Sequence, residues 1–266
     1  MANQENKAKR SIPGWLLAAA VLVLSAAVGV LLIEKGLLWF NMPSKNLYPV
    51  RGVDVSHYQG EIDWETIRAQ EIDFAFLKAT EGSGSVDETF AENWKKARAA
   101  GLAVGAYHFF SFDSSGETQT ANFLKTVPVA ADALPPVIDL EYYNSEGSQA
   151  VEPVRRELRV MLDAMKSQYG KTPIIYTTQN FWEKYLRETD LEYTLWIRSV
   201  YTSPSSKLSP QWSFWQYNSR GVLEGYHGVE TKIDLNAYRG TREEFEKQFA
   251  VKLPPQIPAQ SGTAKG

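Results

Sequence analysis

Hydrophobic and polar positions divide the chain into three regimes. From Ile12 to Ile33 the run IPGWLLAAAVLVLSAAVGVLLI carries no charged residue. It is apolar on every face, unlike a surface helix of a globular domain, which keeps a polar side. At about 1.5 Å per residue such a helix is roughly 33 Å long, enough to cross the hydrocarbon core of a bilayer. Lys7, Lys9 and Arg10 precede it. The positive-inside rule then holds residues 1–11 in the cytoplasm and carries the rest across. A cleaved signal peptide has a shorter apolar region, about 7–15 residues. Residues 12–33 are therefore read as an uncleaved, single-pass transmembrane anchor, followed by a linker over 34–48.

From residue 49 the pattern changes to short apolar runs of strand length: VRGVDVS (50–56), FAFLKAT (74–80), AVGAYHFF (103–110), PVIDLEY (136–142), PIIYTT (173–178), TLWIRSV (194–200), SFWQY (213–217) and TKIDLNAY (231–238). Helix-like segments separate the earlier ones. Asp63 can cap WETIRAQ, Asp87 can cap ETFAENWKKARAAG, and Val151 to Tyr169 has helical periodicity and ends in a Gly. Alternation of this kind predicts a parallel sheet, and eight strands in about 200 residues predict a closed barrel. No helix fits between SFWQY and TKIDLNAY, so an antiparallel hairpin is expected there. The reading is an α/β fold over 49–250: a modified TIM-like (β/α) barrel, regular in its first five units and irregular later. The third regime, residues 251–266, is rich in Pro, Gly and Ser, and a disordered tail is expected.

Composition changes this picture little. The chain has 266 residues, 44% of them hydrophobic, and a net charge of −3, too mild to argue for a nucleic-acid partner. It has no cysteine, which excludes disulfides, thiolate metal sites and a cysteine nucleophile. Gly-rich phosphate loops, the G-x-S-x-G elbow and the dinucleotide fingerprint are absent.

Two carboxylates inside PPVIDLEYY (135–143) call for a reason. Side chains alternate along a strand, so Asp139 and Glu141 share one face with Val137, while Ile138 and Leu140 face the helices. Both acids fall at the C-terminal end of their strand, where catalytic groups of β/α barrels gather. Asp54, Asp234 and Glu81 fall at comparable places. Tyr58, Tyr107, Tyr176, Trp196, Trp215 and Gln216 lie near strand ends. Clustered carboxylates raise one another's pKa, so one can donate a proton while another stays ionised. Rings cover the apolar faces of pyranoses, and acids and amides take their hydroxyls, so the set suits a sugar polymer. Glu81 has a competing role as a salt-bridge partner of Lys78. His57 and His108 also lie near strand ends, where they would orient acids or, with Asp54, hold a metal. No H-x-x-x-H or H-E-x-x-H spacing occurs, and neither metal nor cofactor is expected.

The segments GVDVSHYQGEIDW (52–64), FAFLKATEGSGSVDETFAENWKKARAAGL (74–102), GAYHFF (105–110), PPVIDLE (135–141), IIYTT (174–178), LWI (195–197), WQYNSRGVLEGYHG (215–228) and IDLNAY (233–238) together resemble glycoside hydrolase family 25, the Chalaropsis-type lysozymes or N-acetylmuramidases. The resemblance implies a modified barrel and hydrolysis of the β-1,4 bond between N-acetylmuramic acid and N-acetylglucosamine in peptidoglycan. It implies that Glu141 is the acid/base and that Asp139 stabilises the transition state or the substrate's acetamido group. Asp54 and Asp234 would complete the carboxylates, with Glu81 marked by the family signature. Direct nucleophilic retention, inversion and a substrate-assisted route all remain open; the last, with the acetamido oxygen as nucleophile and Asp139 orienting it, is the one favoured here. WIRSVY (196–201) departs from the family pattern, because Arg198 brings bulk and charge where a small residue is common. The expectation is a muramidase at the inner (cytoplasmic) membrane, its catalytic domain on the envelope side, remodelling the cell's own wall. The rivals are a non-catalytic peptidoglycan-binding membrane protein and a metal-dependent deacetylase or amidase.

Overall fold

The computed structural model describes residues 13–35, 38–39, 41–142, 149–204 and 211–256. They fall into two compact units, Met1–Trp39 and Phe40–Gly266. In the first unit a single helix, α1 (Gly14–Glu34), has 21 residues, a mean hydropathy of 2.9 and no buried residue. It qualifies as a candidate membrane span by length and composition. The cations expected to orient it, Lys7, Lys9 and Arg10, lie outside the described residues.

The second unit contains, in chain order, β1 (Arg51–Val55), β2 (Glu61–Ile62), α2 (Trp64–Ala69), β3 (Phe74–Glu81), β4 (Ser85–Val86), α3 (Phe90–Ala99), β5 (Ala103–Phe109), α4 (Gly116–Thr126), β6 (Val137–Leu140), α5 (Val151–Tyr169), β7 (Ile174–Thr178), α6 (Gln179–Phe181), β8 (Thr194–Arg198), β9 (Trp212–Gly221), β10 (Tyr226–His227), β11 (Ile233–Tyr238) and α7 (Arg242–Phe249). The order β1-β11-β9-β8-β7-β6-β5-β3, with β3 pairing back to β1, closes a barrel. Pairs from β1–β3 through β8–β9 are parallel, and β9–β11 and β11–β1 are antiparallel. Helices follow each of the first five barrel strands, α6 being short and continuing as a π turn over Trp182–Leu186. The fold is thus the modified barrel expected from the pattern, hairpin included.

Local signals act mostly where expected. Asp63 caps α2 by accepting from the amides of Glu65 and Thr66, and Gly170 ends α5 at φ 66°. The N-cap position of α3 is Thr89 rather than Asp87. The buried Asp87 carboxylate serves two segments: Oδ1 accepts from the Thr89 amide at 3.0 Å at the entry to α3, and Oδ2 accepts from the His57 amide and ring Nδ1, both at 2.9 Å, which fastens the loop after β1. Helix α4, capped by Ser115, arises where the apolar pattern announced none.

Two layers of apolar packing hold the barrel. Ile138, Leu140, Leu158, Met161 and Ile175 pack between sheet and helices, while the lumen is filled by Val137, Ile174, Phe74, Phe76, Trp196 and Phe214, with Phe245 and Phe249 of α7. Phe76 stacks on Trp196 at 4.6 Å between ring centroids, and Phe214 on Phe249 at 5.2 Å. Gly105 makes room for this plug, since a Cβ there would lie 2.6 Å from the Phe76 ring.

Two flanking segments differ from the sequence expectation. Residues 251–256, read as the start of a disordered tail, pack back on the barrel. Val251 and Leu253 join the lumen cluster, and the Leu253 amide donates to Glu246 Oε1 at 2.9 Å. Two apolar side chains there outweigh a Pro-rich composition; residues 257–266 lie outside the described part. The linker is likewise docked from Asn41 onward. Asn41 is buried, and its Nδ2 donates toward the carbonyls of Ser199 (2.9 Å), Thr202 (3.3 Å) and Tyr217 (3.3 Å). Arg51 Nη2 reaches Pro43 O at 2.6 Å. Tyr48 packs on Trp212 and Trp215 at 6.1 and 5.8 Å. Trp215 therefore faces outward and does not belong to the barrel mouth. It sits between Phe214 and Gln216, both lumen-facing, so strand alternation sends it the other way. Asn41→Ala leaves buried carbonyls without their donor and is expected to cost about 1–2 kcal/mol. Chemical denaturation of the full-length chain, comparing midpoints with the unmodified protein, checks this.

Candidate active site

Lumen-facing positions continue above the aromatic plug, and there they turn polar. A cavity of about 180 Å³ opens at the C-terminal end of the parallel strands, lined by Asp54, Ser56, Tyr58, Lys78, Tyr107, Phe109, Asp139, Glu141, Tyr176, Trp196, Gln216 and Asp234. All but Tyr58 come from a strand or its end, at the parity that points inward; Tyr58 stands on the turn His57–Gln59 after β1. Four of the five acids singled out in the sequence, and all five of Tyr58, Tyr107, Tyr176, Trp196 and Gln216, meet here.

Asp139 and Glu141 stand on β6 and just after it. Asp139 is buried, and its Oδ1 has no hydrogen-bond partner. Asp54 and Asp234 lie directly opposite one another in the antiparallel β1–β11 pair. Asn236 Nδ2 donates to Asp54 Oδ2 at 2.6 Å, and Gln216 Nε2 donates to the same oxygen at 3.1 Å. Tyr176 donates to Gln216 Oε1 at 3.0 Å, and Trp196 Nε1 donates to Asn236 Oδ1 at 2.9 Å. Asp54 is thus held by two amides that are themselves oriented. Trp196, 2% exposed, is the floor of the cavity, whereas Tyr58, 45% exposed, stands at its lip.

Burial raises the pKa of all four carboxyls, through the cost of a charge away from water. Asp139 is pushed well up, also by the charges of Glu141 and Asp54. Asp234 is pushed well up, also by Asp54. In Asp54 the amides of Asn236 and Gln216 oppose burial, and in Glu141 the charge of Arg198 does. The group therefore shares protons, with amide-bonded Asp54 the best placed to stay ionised.

Glu81 stands apart from this cluster. Its carboxylate takes Lys78 Nζ at 2.7 Å, and it does not line the cavity. His108 is buried on the outer side, between Thr80 Oγ1 (2.7 Å) and Gln119 Oε1 (3.0 Å); burial lowers its pKa to about 4, so it is neutral. Neither it nor His57 meets Asp54, and no three His, Asp or Glu side chains converge for a metal among the described residues. Lys78, Phe109, Ser56 and Asn236 were not singled out in the sequence. Each lies two residues from a residue of the cavity wall or lumen plug, a spacing that could have found them. A larger hollow of about 450 Å³ at the opposite end of the barrel holds Lys45 paired with Glu71 and Arg242 paired with Asp73. Arg51 and Arg68 line it too, so cations outnumber its two acids, and it gathers no set of carboxyls comparable to that of the smaller cavity.

Comparison with known proteins bears on this geometry. The family described as glycosyl hydrolases family 25 matches residues 53–226. A solved family 25 glycosyl hydrolase from Bacillus anthracis superposes with a TM-score of 0.74 at 46% identity, covering 79% of this chain and 98% of its own. Lysozyme M1 of Streptomyces globisporus is 30% identical over 207 residues, 72% of this chain and 68% of that protein. The Escherichia coli (strain K12) protein YegX is 34% identical over 204 residues, 75% of this chain and 73% of that one.

The raised carboxyls make a stability prediction with a definite sign. A carboxyl whose pKa is higher folded than unfolded binds more protons in the native state, so its contribution falls as pH rises above the unfolded value, about 3.9 for Asp. Asp139→Asn removes that loss. The variant is expected to melt higher than the unmodified chain at pH 7, with the difference closing toward pH 3. Calorimetric melting temperatures across that range check it.

Proposed function

The chain belongs to glycosyl hydrolases family 25, and from that premise we propose that it is a lysozyme-type peptidoglycan hydrolase with Glu141 as its acid/base. It would cleave the β-1,4 bond between N-acetylmuramic acid and N-acetylglucosamine. The observation that carries this reading is the convergence of Asp54, Asp139, Glu141 and Asp234 on one aromatic-walled cavity. Burial favours the protonated form of Glu141, the form a general acid needs at the start of the reaction.

The placement supports the following course of reaction. Glu141 gives its proton to the glycosidic oxygen as the C1–O bond breaks. The substrate's acetamido oxygen closes on C1, and Asp139 orients that group through its N–H. The unpartnered Oδ1 of Asp139 suits this role, and an N–H donor would favour its ionised form. Water then opens the cyclic intermediate at C1 and returns a proton to Glu141, so the anomeric configuration is retained. Asp54, held by Asn236 and Gln216, supplies fixed negative charge to the oxocarbenium-like transition state, and Asp234 holds the proton that lets Asp54 remain charged. Glu81 positions Lys78. Tyr58 and Tyr107 offer ring faces to the sugars, above the Trp196 floor.

The anchor belongs to the same reading. Helix α1 buries none of its apolar residues, and the basic residues before it favour a cytoplasmic N-terminus. The barrel would then act on the envelope side of the cytoplasmic membrane, beside its own wall.

The test is direct. Full-length chain in detergent, incubated with purified peptidoglycan, is expected to release fragments whose reducing ends become muramitol on borohydride reduction, read by mass spectrometry. Glu141→Gln is expected to lower the rate by about 10²–10⁴-fold while leaving the melting curve cooperative. Fragments ending in reduced N-acetylglucosamine, or full activity in Glu141→Gln, would overturn the assignment.

A further inference from the structure

Arg198 closes β8 at the rim of the acid-lined cavity. Strand alternation puts it on the face of Trp196, one layer above the cavity floor. Its register partners are Thr178 on β7 and Gln216 on β9, and Gln216 lines the cavity and bonds Asp54. Glu141 continues β6 one step past the Leu140–Thr177 pair, so it lies level with Thr178 and Arg198. The charge of Arg198 is accordingly felt by Glu141, Asp54 and Asp234.

The guanidinium is half-buried, yet it makes no hydrogen bond or close ion pair with the described residues. None of its nitrogens is sealed away from solvent without a partner. Its donors therefore keep access to solvent, on the strand face that carries the cleft. Lys78, the cation lining the cavity itself, differs: it is tied to Glu81 at 2.7 Å and lies 5.1 Å from the centroid of the Phe109 ring. Arg198 is thus a cation held ready in a cleft that is otherwise strongly acidic. An anionic group on a sugar polymer would meet the ionised members of this acidic cluster, and a positive charge is needed to offset them. A planar guanidinium with free donors matches a carboxylate in two parallel hydrogen bonds. Its place at the rim fits a substituent projecting from a sugar rather than the ring.

We propose that Arg198 is a specificity-determining residue that binds a carboxylate carried by the muramic acid unit of the glycan. The proposal rests on the lysozyme reading and deepens it. Two sources share this chemistry: the 3-O-lactyl group where no peptide is attached, and the stem peptide where one is.

The test uses full-length chain in detergent carrying Glu141→Gln to prevent turnover, with and without Arg198→Gln. Calorimetry measures binding of three probes. One is the tetrasaccharide of alternating N-acetylglucosamine and N-acetylmuramic acid with free lactyl carboxylates. The second is the same compound capped as methylamides, and the third bears stem peptides. Arg198→Gln is expected to weaken binding of a carboxylate-bearing probe at least about tenfold and to leave the capped probe unchanged, with Arg198→Lys retaining part of the difference. A loss on the free lactyl probe assigns the lactyl carboxylate; a loss only on the peptide-bearing probe assigns the stem peptide. Equal weakening on the capped probe, no weakening on any, or no measurable binding of the carboxylate-bearing probes overturns the proposal. The lysozyme reading fails separately, through the absence of muramitol-ended fragments with unmodified enzyme.

Discussion

The stack of Phe76 on Trp196, 4.6 Å apart, is where the apolar interior ends and the polar cavity begins. Everything below it in the lumen is aromatic or aliphatic, closed from beneath by Phe245 and Phe249. Above it the inward positions are mostly acids, amides, phenols and a cation, with Ser56 and the Phe109 ring among them. A closed barrel permits this division because each strand sends alternate side chains to one axis. The layer that follows the plug has no choice but to face the open end. Trp196 belongs to both halves, its ring packed downward and its Nε1 fixing Asn236, which in turn fixes Asp54.

The four carboxyls pull against stability. Each is held where its charged form is disfavoured, and removing one is expected to firm the fold while harming the chemistry. The barrel tolerates them because two compensations are local. The amides of Asn236 and Gln216 satisfy Asp54, and Arg198 offsets part of the negative charge without pairing closely with any one acid. One acceptor on Asp139, Oδ1, is left without a protein partner among the described residues. This is the arrangement expected of a site preorganised for a developing charge rather than of a structural ion network.

The flanking segments are part of the barrel and not appendages to it. Asn41 holds the turn after β8 through Ser199 and Thr202, and that turn begins next to Arg198. Val251 and Leu253 complete the lumen cluster at the other end. A fragment intended to keep the catalytic unit whole should therefore begin before Asn41 and extend past Pro254.

Much of this was legible in the chain itself. Alternation within VIDLE put Asp139 and Glu141 on one face, and the spacing of strand-like runs foretold the barrel and its antiparallel closing hairpin, because both patterns depend only on local backbone periodicity. Composition misled where a few apolar side chains decide the outcome, as at Val251 and Leu253. Asp87 does take the Thr89 amide at the entry to α3, but nothing nearby in sequence shows that its second oxygen holds His57, 30 residues away. Trp215 was misplaced by its nearness to a strand end, although its parity already pointed outward. What tertiary structure alone decided is which neighbours each charge meets: Asp54 opposite Asp234, Glu81 spent on Lys78, Arg198 left open to the cleft. Those depend on register between strands far apart in the chain, and strand pairing at that distance is set by closure of the whole barrel rather than by any local signal.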